Sequence, residues 1–372
     1  MVSIKYSGPW AEASGYAQAN RNIIQAISET NVDLVTELQV YANHQTDYGN
    51  QFNIAKLRQN KHGNYPIKVL HITPNVYQKH KEVGKYNIGH LFWETTRMSD
   101  KWAWYLNEVR EIWTGCEANV NTFKEMGFVG KIFKFPQPLE VNRDEKPKQI
   151  EHARGFIFGS VFQWTERKNP KALLKAYWKE FENDVDVTLV IKTYGLGFEK
   201  HETDKIYNQI EEWKKEFKQE RYPNTLIIDY LLTSKEVHEL YESYDAMVFT
   251  HRFEGWGIPI AESLVHAKPV ISTNIGGVHE WISDSGMYKV GYKLIDVFGM
   301  SWAEQYNCPG NKWAEIDETE LRQKMRHVYT NRDEAKNCAL RGRKEVREKF
   351  NFKTVGNLMK DRIEEIYREQ GF

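Results

Sequence analysis

The stretch Phe253-Glu254-Gly255-Trp256-Gly257-Ile258-Pro259-Ile260-Ala261-Glu262 sets two carboxylates eight residues apart across a turn of glycines and a proline. Just before it, Ala246-Met247-Val248-Phe249 is a short apolar run of the kind that forms a buried strand. From Pro259 onward the apolar residues recur at helical spacing, and proline suits the first turn of a helix. Glu254 is therefore expected at the carboxyl end of a strand, and Glu262 in the first turn of a helix. In open α/β sheets the crevice at that strand end is where ligands bind, and unpaired N–H groups at a helix start attract phosphate. Taken singly, either carboxylate also fits a solvated surface position that merely complements the helix dipole.

Working outward, strand-like and helix-like segments alternate along the whole chain, the pattern of parallel sheets covered by helices. In the first half, residues 2–6, 32–38, 68–72, 86–92, 111–114 and 131–135 read as strands, and 16–28 and 119–126 as amphipathic helices. Residues 138–154 are charged, contain Pro147 and lack an apolar period, so they read as an interdomain linker. The pattern then restarts, with strands at 155–159, 187–192, 225–229, around Met247 and at 269–272. Helices are expected at 171–181, 203–218, 234–243 and from Pro259, and again over 317–350 and 351–368, where Phe352, Val355, Met359, Ile363 and Ile366 share one face. This predicts two doubly wound α/β domains, 1–150 and 151–350. A chain of 372 residues is long enough for two such cores.

Bulk properties exclude several classes. Lys+Arg and Asp+Glu are equal at 51 each, so no net charge argues for wrapping nucleic acid. Cys116, Cys308 and Cys338 form neither a disulfide framework nor a zinc pattern. No apolar run approaches the roughly 20 residues that span a bilayer, and neither a signal-peptide core nor an Asn-x-Ser/Thr sequon is present. These features point to the cytoplasm. Residues 123–135 mix Lys124, Lys131 and Lys134 with phenylalanines, which leaves peripheral membrane contact open, although an amphipathic helix and strand with snorkelling lysines accounts for them equally. The 12 Trp and 20 Tyr suit clefts that meet sugar rings or bases, and ordinary cores as well.

A second segment, Phe158-Gly159-Ser160-Val161-Phe162-Gln163-Trp164-Thr165-Glu166-Arg167-Lys168-Asn169-Pro170, is a strand followed by a basic loop that opens a helix. Arg167 and Lys168 at that strand end can offset a diphosphate, and Lys192 ends a neighbouring strand. Asp184-Val185-Asp186 matches a manganese-binding D-x-D, but it precedes its strand and so lies at the wrong edge for the crevice. Gly195-Leu196-Gly197 lacks the third glycine of a dinucleotide fingerprint, and no P-loop is present.

Residues 254–262 resemble the E-x7-E signature, in its E-G-(F/W)-G-(L/I)-P-x-x-E form, of the retaining nucleotide-sugar glycosyltransferases of family 4, which have the GT-B fold. The resemblance extends to Tyr241-Glu242-Ser243-Tyr244-Asp245-Ala246, to Ala267-Lys268-Pro269-Val270-Ile271-Ser272 and to Gly276-Gly277-Val278-His279-Glu280. Lys268 stands where the family usually has Gly, His266 where it often has Met or Ala, and Ser160 where it has Arg. The Arg167-Lys168-Asn169 loop resembles the family's donor-phosphate loop, and Gly8 and Gly15 flank a loop similar to its N-terminal glycine loop.

The resemblance implies a hexosyltransferase with an acceptor-side domain (1–150, plus a C-terminal helix at 351–372 packing back on it) and a donor-binding domain (151–350). It implies a nucleotide diphosphate sugar as co-substrate, a saccharide, glycan or lipid-linked acceptor, and no metal or other cofactor. Catalytic candidates are Glu254, Arg167, Lys168 and His90, with His71 as the rival of His90. Donor-binding candidates are Glu262, Gly15, Gly257, Ile258, Gly276, Gly277 and Lys192. A nucleotide-sugar epimerase, a sugar phosphorylase or a non-catalytic sugar-nucleotide binder on the same fold remain as alternatives, because function lives in the site.

Overall fold

The computed structural model describes residues 2–39, 64–300 and 303–372. The first sheet contains β1 (Ser3–Gly8), β2 (Asp33–Leu38), β3 (Ile67–Leu70), β4 (Tyr86–His90), β5 (Glu111–Thr114) and β6 (Lys131–Lys134), in the order β2-β1-β3-β4-β5-β6. Every neighbouring pair is parallel. The second contains β7 (Phe156–Val161), β8 (Val187–Lys192), β9 (Asn224–Ile228), β10 (Ala246–Phe249), β11 (Val270–Thr273) and β12 (Tyr288–Val290), in the order β12-β11-β10-β7-β8-β9, again all parallel. Both sheets are covered by helices, so strands such as β3, β8 and β10 are buried along their whole length, and their sequences are mostly apolar. In each sheet the strand order reverses beside the first strand of its domain, which opens a crevice there.

The helices that shape the molecule are α1 (Gly15–Ser28), α2 (Asp100–Leu106), α3 (Glu117–Glu125), α4 (Pro170–Phe181), α5 (Lys200–Phe217), α6 (Ser234–Ser243), α7 (Ile258–Val265), α8 (Glu318–Thr330), α9 (Arg332–Lys349) and α10 (Phe352–Gln370). The single helical stretch expected over 317–350 is two helices, because Asn331 leaves helical dihedrals between them. Val355, Met359, Ile363 and Ile366 of α10 join the core of the first domain with Ile4, Ile23 and Ile27. A side chain at Gly356 would meet the Ala26 carbonyl oxygen at 2.2 Å, so only glycine allows α10 to lie this close to α1.

Residues 138–154 carry no helix or strand. They meet the returning chain where Leu139 N donates to Phe350 O at 2.7 Å, so the two crossings between domains are tied together. The sequence reading named neither α2 nor β12, and it missed β13 (Tyr292–Asp296) and β14 (Lys312–Ile316), which form an antiparallel hairpin outside both sheets. Its outer loop reaches the first domain, where Thr96 N donates to Lys312 O at 2.9 Å and Ser99 N to Gln305 O at 3.0 Å.

Among the described residues no helix is long and apolar enough to cross a membrane. Phe123, Phe128 and Phe135 are buried, while Lys131 pairs with Glu369 at 2.7 Å and Lys134 with Glu117 at 2.9 Å. Three phenylalanines of this segment therefore pack inward, and its lysines stay at the surface.

Candidate active site

A cavity of about 390 Å³ lies between the carboxyl ends of the two sheets. Glu254 follows β10, and its loop turns into α7 through Gly257, whose φ of 97° only glycine adopts without strain. Behind this loop, Gly276 stacks so closely that a side chain would overlap the Glu254 carbonyl, and Gly277 N donates to that carbonyl at 3.1 Å.

Arg167 and Lys168 lie on a short helical turn that ends at Asn169, a left-handed residue with φ 55° whose side chain caps α4. Arg252 fixes this turn: its Nε donates to Glu166 O at 3.0 Å, its Nη2 to Asn169 Oδ1 at 3.1 Å, and it pairs with Glu315 of the hairpin. Lys168 Nζ bonds directly to Glu254 Oε1, and Arg167 Nη1 lies 3.4 Å from the same oxygen. Arg167 Nε reaches across the cleft to Glu94 Oε2 at 3.0 Å. Burial opposes ionisation of Glu254, but Lys168 and then Arg167 outweigh it and hold the carboxyl down at about 2. Burial and the nearby Glu254 charge push the Glu94 carboxyl the other way, upward. Two cations and two carboxylates thus share one closed end of the cavity.

Glu262 stands at the other end. Gln18 Nε2 lies 2.5 Å from Glu262 Oε1, and Tyr241 OH donates to Oε2 at 3.2 Å. Burial raises the Glu262 carboxyl above its ordinary range. Between the two ends, Lys192 Nζ donates to Thr193 O at 3.1 Å and sits 5.4 Å over the Phe198 ring, which itself stacks on Tyr194. Burial brings the Lys192 ammonium down to about 8. Gly15 opens α1 on the first-domain wall, and a side chain there would meet nothing within 4 Å.

The cavity therefore brings together Glu254, Arg167, Lys168, Glu262, Lys192, Gly15, Gly257 and Ile258. His90, Gly276 and Gly277 do not reach its wall. His90 is fully buried, its Nδ1 3.0 Å from Tyr6 OH, its ring stacked on His71 at 4.5 Å, and burial pulls it down to about 3. Phe92 and Glu94, two and four residues later, occupy the wall instead, since β4 ends at His90 and the chain then turns along the cleft. Gly276 and Gly277 form the bed of the Glu254 loop. Gln18, Tyr241, Glu94 and the aromatic pair Tyr194 and Phe198 were not singled out by sequence; the only available sign was that Glu94 follows an apolar strand next to a tryptophan. Asp184 accepts from Arg326 Nη2 at 2.9 Å and precedes β8, at the sheet edge opposite the cavity. Among the described residues no cluster of His, Cys, Asp or Glu could hold a metal ion.

The turn after α7 corrects one detail. The left-handed residue is Ala267, at φ 52°, and not Lys268, so the position that favours glycine is Ala267.

Residues 142–292 match the family described as Glycosyl transferases group 1. No curated protein matches the chain by sequence. Among solved structures, HepE from Anabaena in complex with UDP-glucose aligns over 98% of this chain and 100% of its own, at 12% identity and a TM-score of 0.68. Sucrose-phosphate synthase from Thermosynechococcus elongatus aligns over 99% and 100%, at 12% identity and 0.68. TarM from S. aureus, in complex with UDP and sugar ligands, aligns at 15% identity and 0.59 over 80% of this chain, which spans only 55% of TarM. At such identities the likeness is one of fold. The chain is built on the GT-B fold, and its residues 142–292 carry the sequence pattern of the group 1 glycosyltransferases.

Proposed function

We propose that the chain is a retaining glycosyltransferase that moves a hexose-type sugar from a nucleotide diphosphate sugar to a sugar, glycan or lipid-linked acceptor, without a metal ion. One observation carries this reading: Arg167 and Lys168 converge on Glu254 in a cleft that Glu262 also lines. A departing diphosphate needs cations already in place, because preorganised charges cost no rearrangement when the bond breaks. Arg167 and Lys168 supply them, and Lys192 adds a third. Glu254, ionised and backed by both cations, takes the hydroxyls of the transferred sugar and stabilises positive charge developing at its anomeric carbon. Glu262 accepts from the vicinal ribose hydroxyls, a task suited to a two-oxygen acceptor, and the Tyr194 and Phe198 side offers a flat face for the base. UDP-sugars are the first donors to test, since UDP or UDP-glucose occupies HepE and TarM.

The test is a panel of nucleotide sugars incubated with the purified protein, with and without EDTA, following nucleotide release by mass spectrometry and the anomeric configuration of the product by NMR. Release that persists in EDTA with retained configuration is expected. Release abolished by EDTA, or an inverted product, overturns the corresponding part of the proposal, and binding without release for every acceptor marks a non-catalytic binder.

A further inference from the structure

Behind Glu262 two imidazoles run in a row from the cleft toward the surface. His238, on α6, has Nε2 3.7 Å from Glu262 Oε1, and its Nδ1 lies 2.8 Å from His266 Nε2. His266, capping α7, places Nδ1 2.6 Å from Glu242 Oε1. Glu242 is partly exposed and lies 3.4 Å from Lys268 Nζ. Both histidines are buried, and the chemistry proposed above uses neither.

With His266 neutral, the surface end sets the direction of the row. Burial opposes ionisation of Glu242, but the hydrogen bond from His266 and the charge of Lys268 hold its carboxyl below the usual range, so it only accepts. His266 therefore donates from Nδ1. A ring with one N–H then has a bare Nε2, which accepts from His238 Nδ1. Burial, with Arg143 and His266 nearby, brings His238 down to about 2, so its ring also carries one N–H. The nitrogen that His238 turns toward Glu262 is then the bare one.

A lone pair facing a carboxylate is repulsive, and facing a carboxylic acid it is not. Gln18 and Tyr241 both donate to Glu262 and favour its carboxylate, but burial outweighs them and the net shift is upward. Arg143, from the crossing segment, is already paired with Glu140 at 2.6 Å and Glu145 at 2.9 Å. A side cavity of about 80 Å³ reaches both Glu262 and His238, giving water a way to carry a proton off.

We propose that His238 and His266 are positioning residues that set the proton on Glu262: the empty cleft keeps Glu262 as the acid, and donor binding drives that proton out to solvent. No covalent bond to the donor is made or broken; the proton passes from the Glu262 carboxyl to the buffer as ribose hydroxyls take its place as donors to the carboxylate. The inference rests on the reading of Glu262 as the ribose contact.

The experiment has two arms. In the free protein, histidine-selective 15N NMR is expected to show His238 protonated at Nδ1 and bare at Nε2; the opposite tautomer overturns the proposal without reference to any donor. Calorimetry with UDP-glucose and other nucleotide sugars, run in buffers of different ionisation enthalpy from about pH 5.5 to about pH 7, below the range in which Lys192 titrates, reads the proton count. Such donors carry no phosphate that titrates in this range. Up to about one proton released per donor is expected, with affinity rising as pH rises. His266→Met frees His238 to turn an N–H toward Glu262, so the release falls toward zero and the pH dependence flattens, while His266→Gln retains part of both. Release unchanged in His266→Met, or none in the native protein, overturns the inference. Binding of no nucleotide sugar overturns the functional reading itself, and the NMR arm then stands separately.

Discussion

Gln18 and Glu262, 244 residues apart in sequence, meet across the cleft with Gln18 Nε2 2.5 Å from Glu262 Oε1. One belongs to the first helix of the first domain, the other to the second turn of α7, one turn later than the sequence reading placed it because the helix already starts at Ile258. The two domains therefore meet at the residue proposed to hold the ribose. Glu262→Ala removes a charge-assisted acceptor from the donor, and the apparent donor dissociation constant is expected to rise by the equivalent of about 1.5–3 kcal/mol. Isothermal titration with nucleotide sugars checks this, and an unchanged affinity rules out the ribose role.

Lys168→Met leaves Glu254 buried without its nearest cation. Turnover is expected to fall about 10²–10³-fold, the usual cost of losing one preorganised charge at a reacting centre. Stability gives an independent reading. Glu254 is held at about 2 against an ordinary 4.5, so its stabilising contribution is fully present above about pH 4.5 and is lost as pH falls toward 2. In Lys168→Met the folded-state value rises, so this acid-side loss is expected to be smaller and complete at a higher pH, visible in melting temperature against pH.

Lys192, brought down to about 8, is a cation below that pH and neutral above it. Donor affinity is expected to weaken as pH rises through about 8, by about tenfold. Lys192→Met is expected to bind weakly at neutral pH and to lose this alkaline dependence. A native protein with flat donor affinity between about pH 7 and pH 9 contradicts the assignment.

The C-terminal helix is anchored by a buried ion pair. Arg362 reaches Glu111 Oε2 at 2.7 Å from Nη2 and Oε1 at 3.1 Å from Nε, and Trp113 and Tyr86 also donate to that carboxylate. Arg362→Met leaves Glu111 uncompensated and is expected to cost about 3–5 kcal/mol, measured by chemical denaturation.

Ala267 holds a left-handed conformation at φ 52° with a Cβ in the way. Ala267→Gly relieves that strain and, net of the added freedom of the unfolded chain, is expected to stabilise by about 0.5–1 kcal/mol. A lower melting temperature in the variant contradicts this.

Glu254, Glu262, Arg167 and Lys168 were legible because each lies next to the strand that positions it. A buried apolar run, a turn of glycines and a helix start are local features, and α/β topology puts strand ends at the crevice. Glu94 escaped because β4 ends at His90 and the following loop has no period to read. Its value comes from Arg167, 73 residues later and in the other domain. The hairpin of β13 and β14 left a faint trace in the alternation of Tyr292-Lys293-Leu294-Ile295-Asp296 and Lys312-Trp313-Ala314-Glu315-Ile316. Its docking to the loop around Thr96 left none.

The sequence by itself determined two parallel α/β sheets and the placement of two acidic and two basic residues at strand ends and helix starts, because apolar periodicity and turn chemistry act over a few residues. Only the tertiary structure decided which charge meets which. Lys168 with Arg167 on Glu254, Arg167 on Glu94, Gln18 on Glu262 and the imidazole row behind it join residues far apart in the chain. Their protonation follows from burial and from neighbours that packing alone brings within a few ångströms.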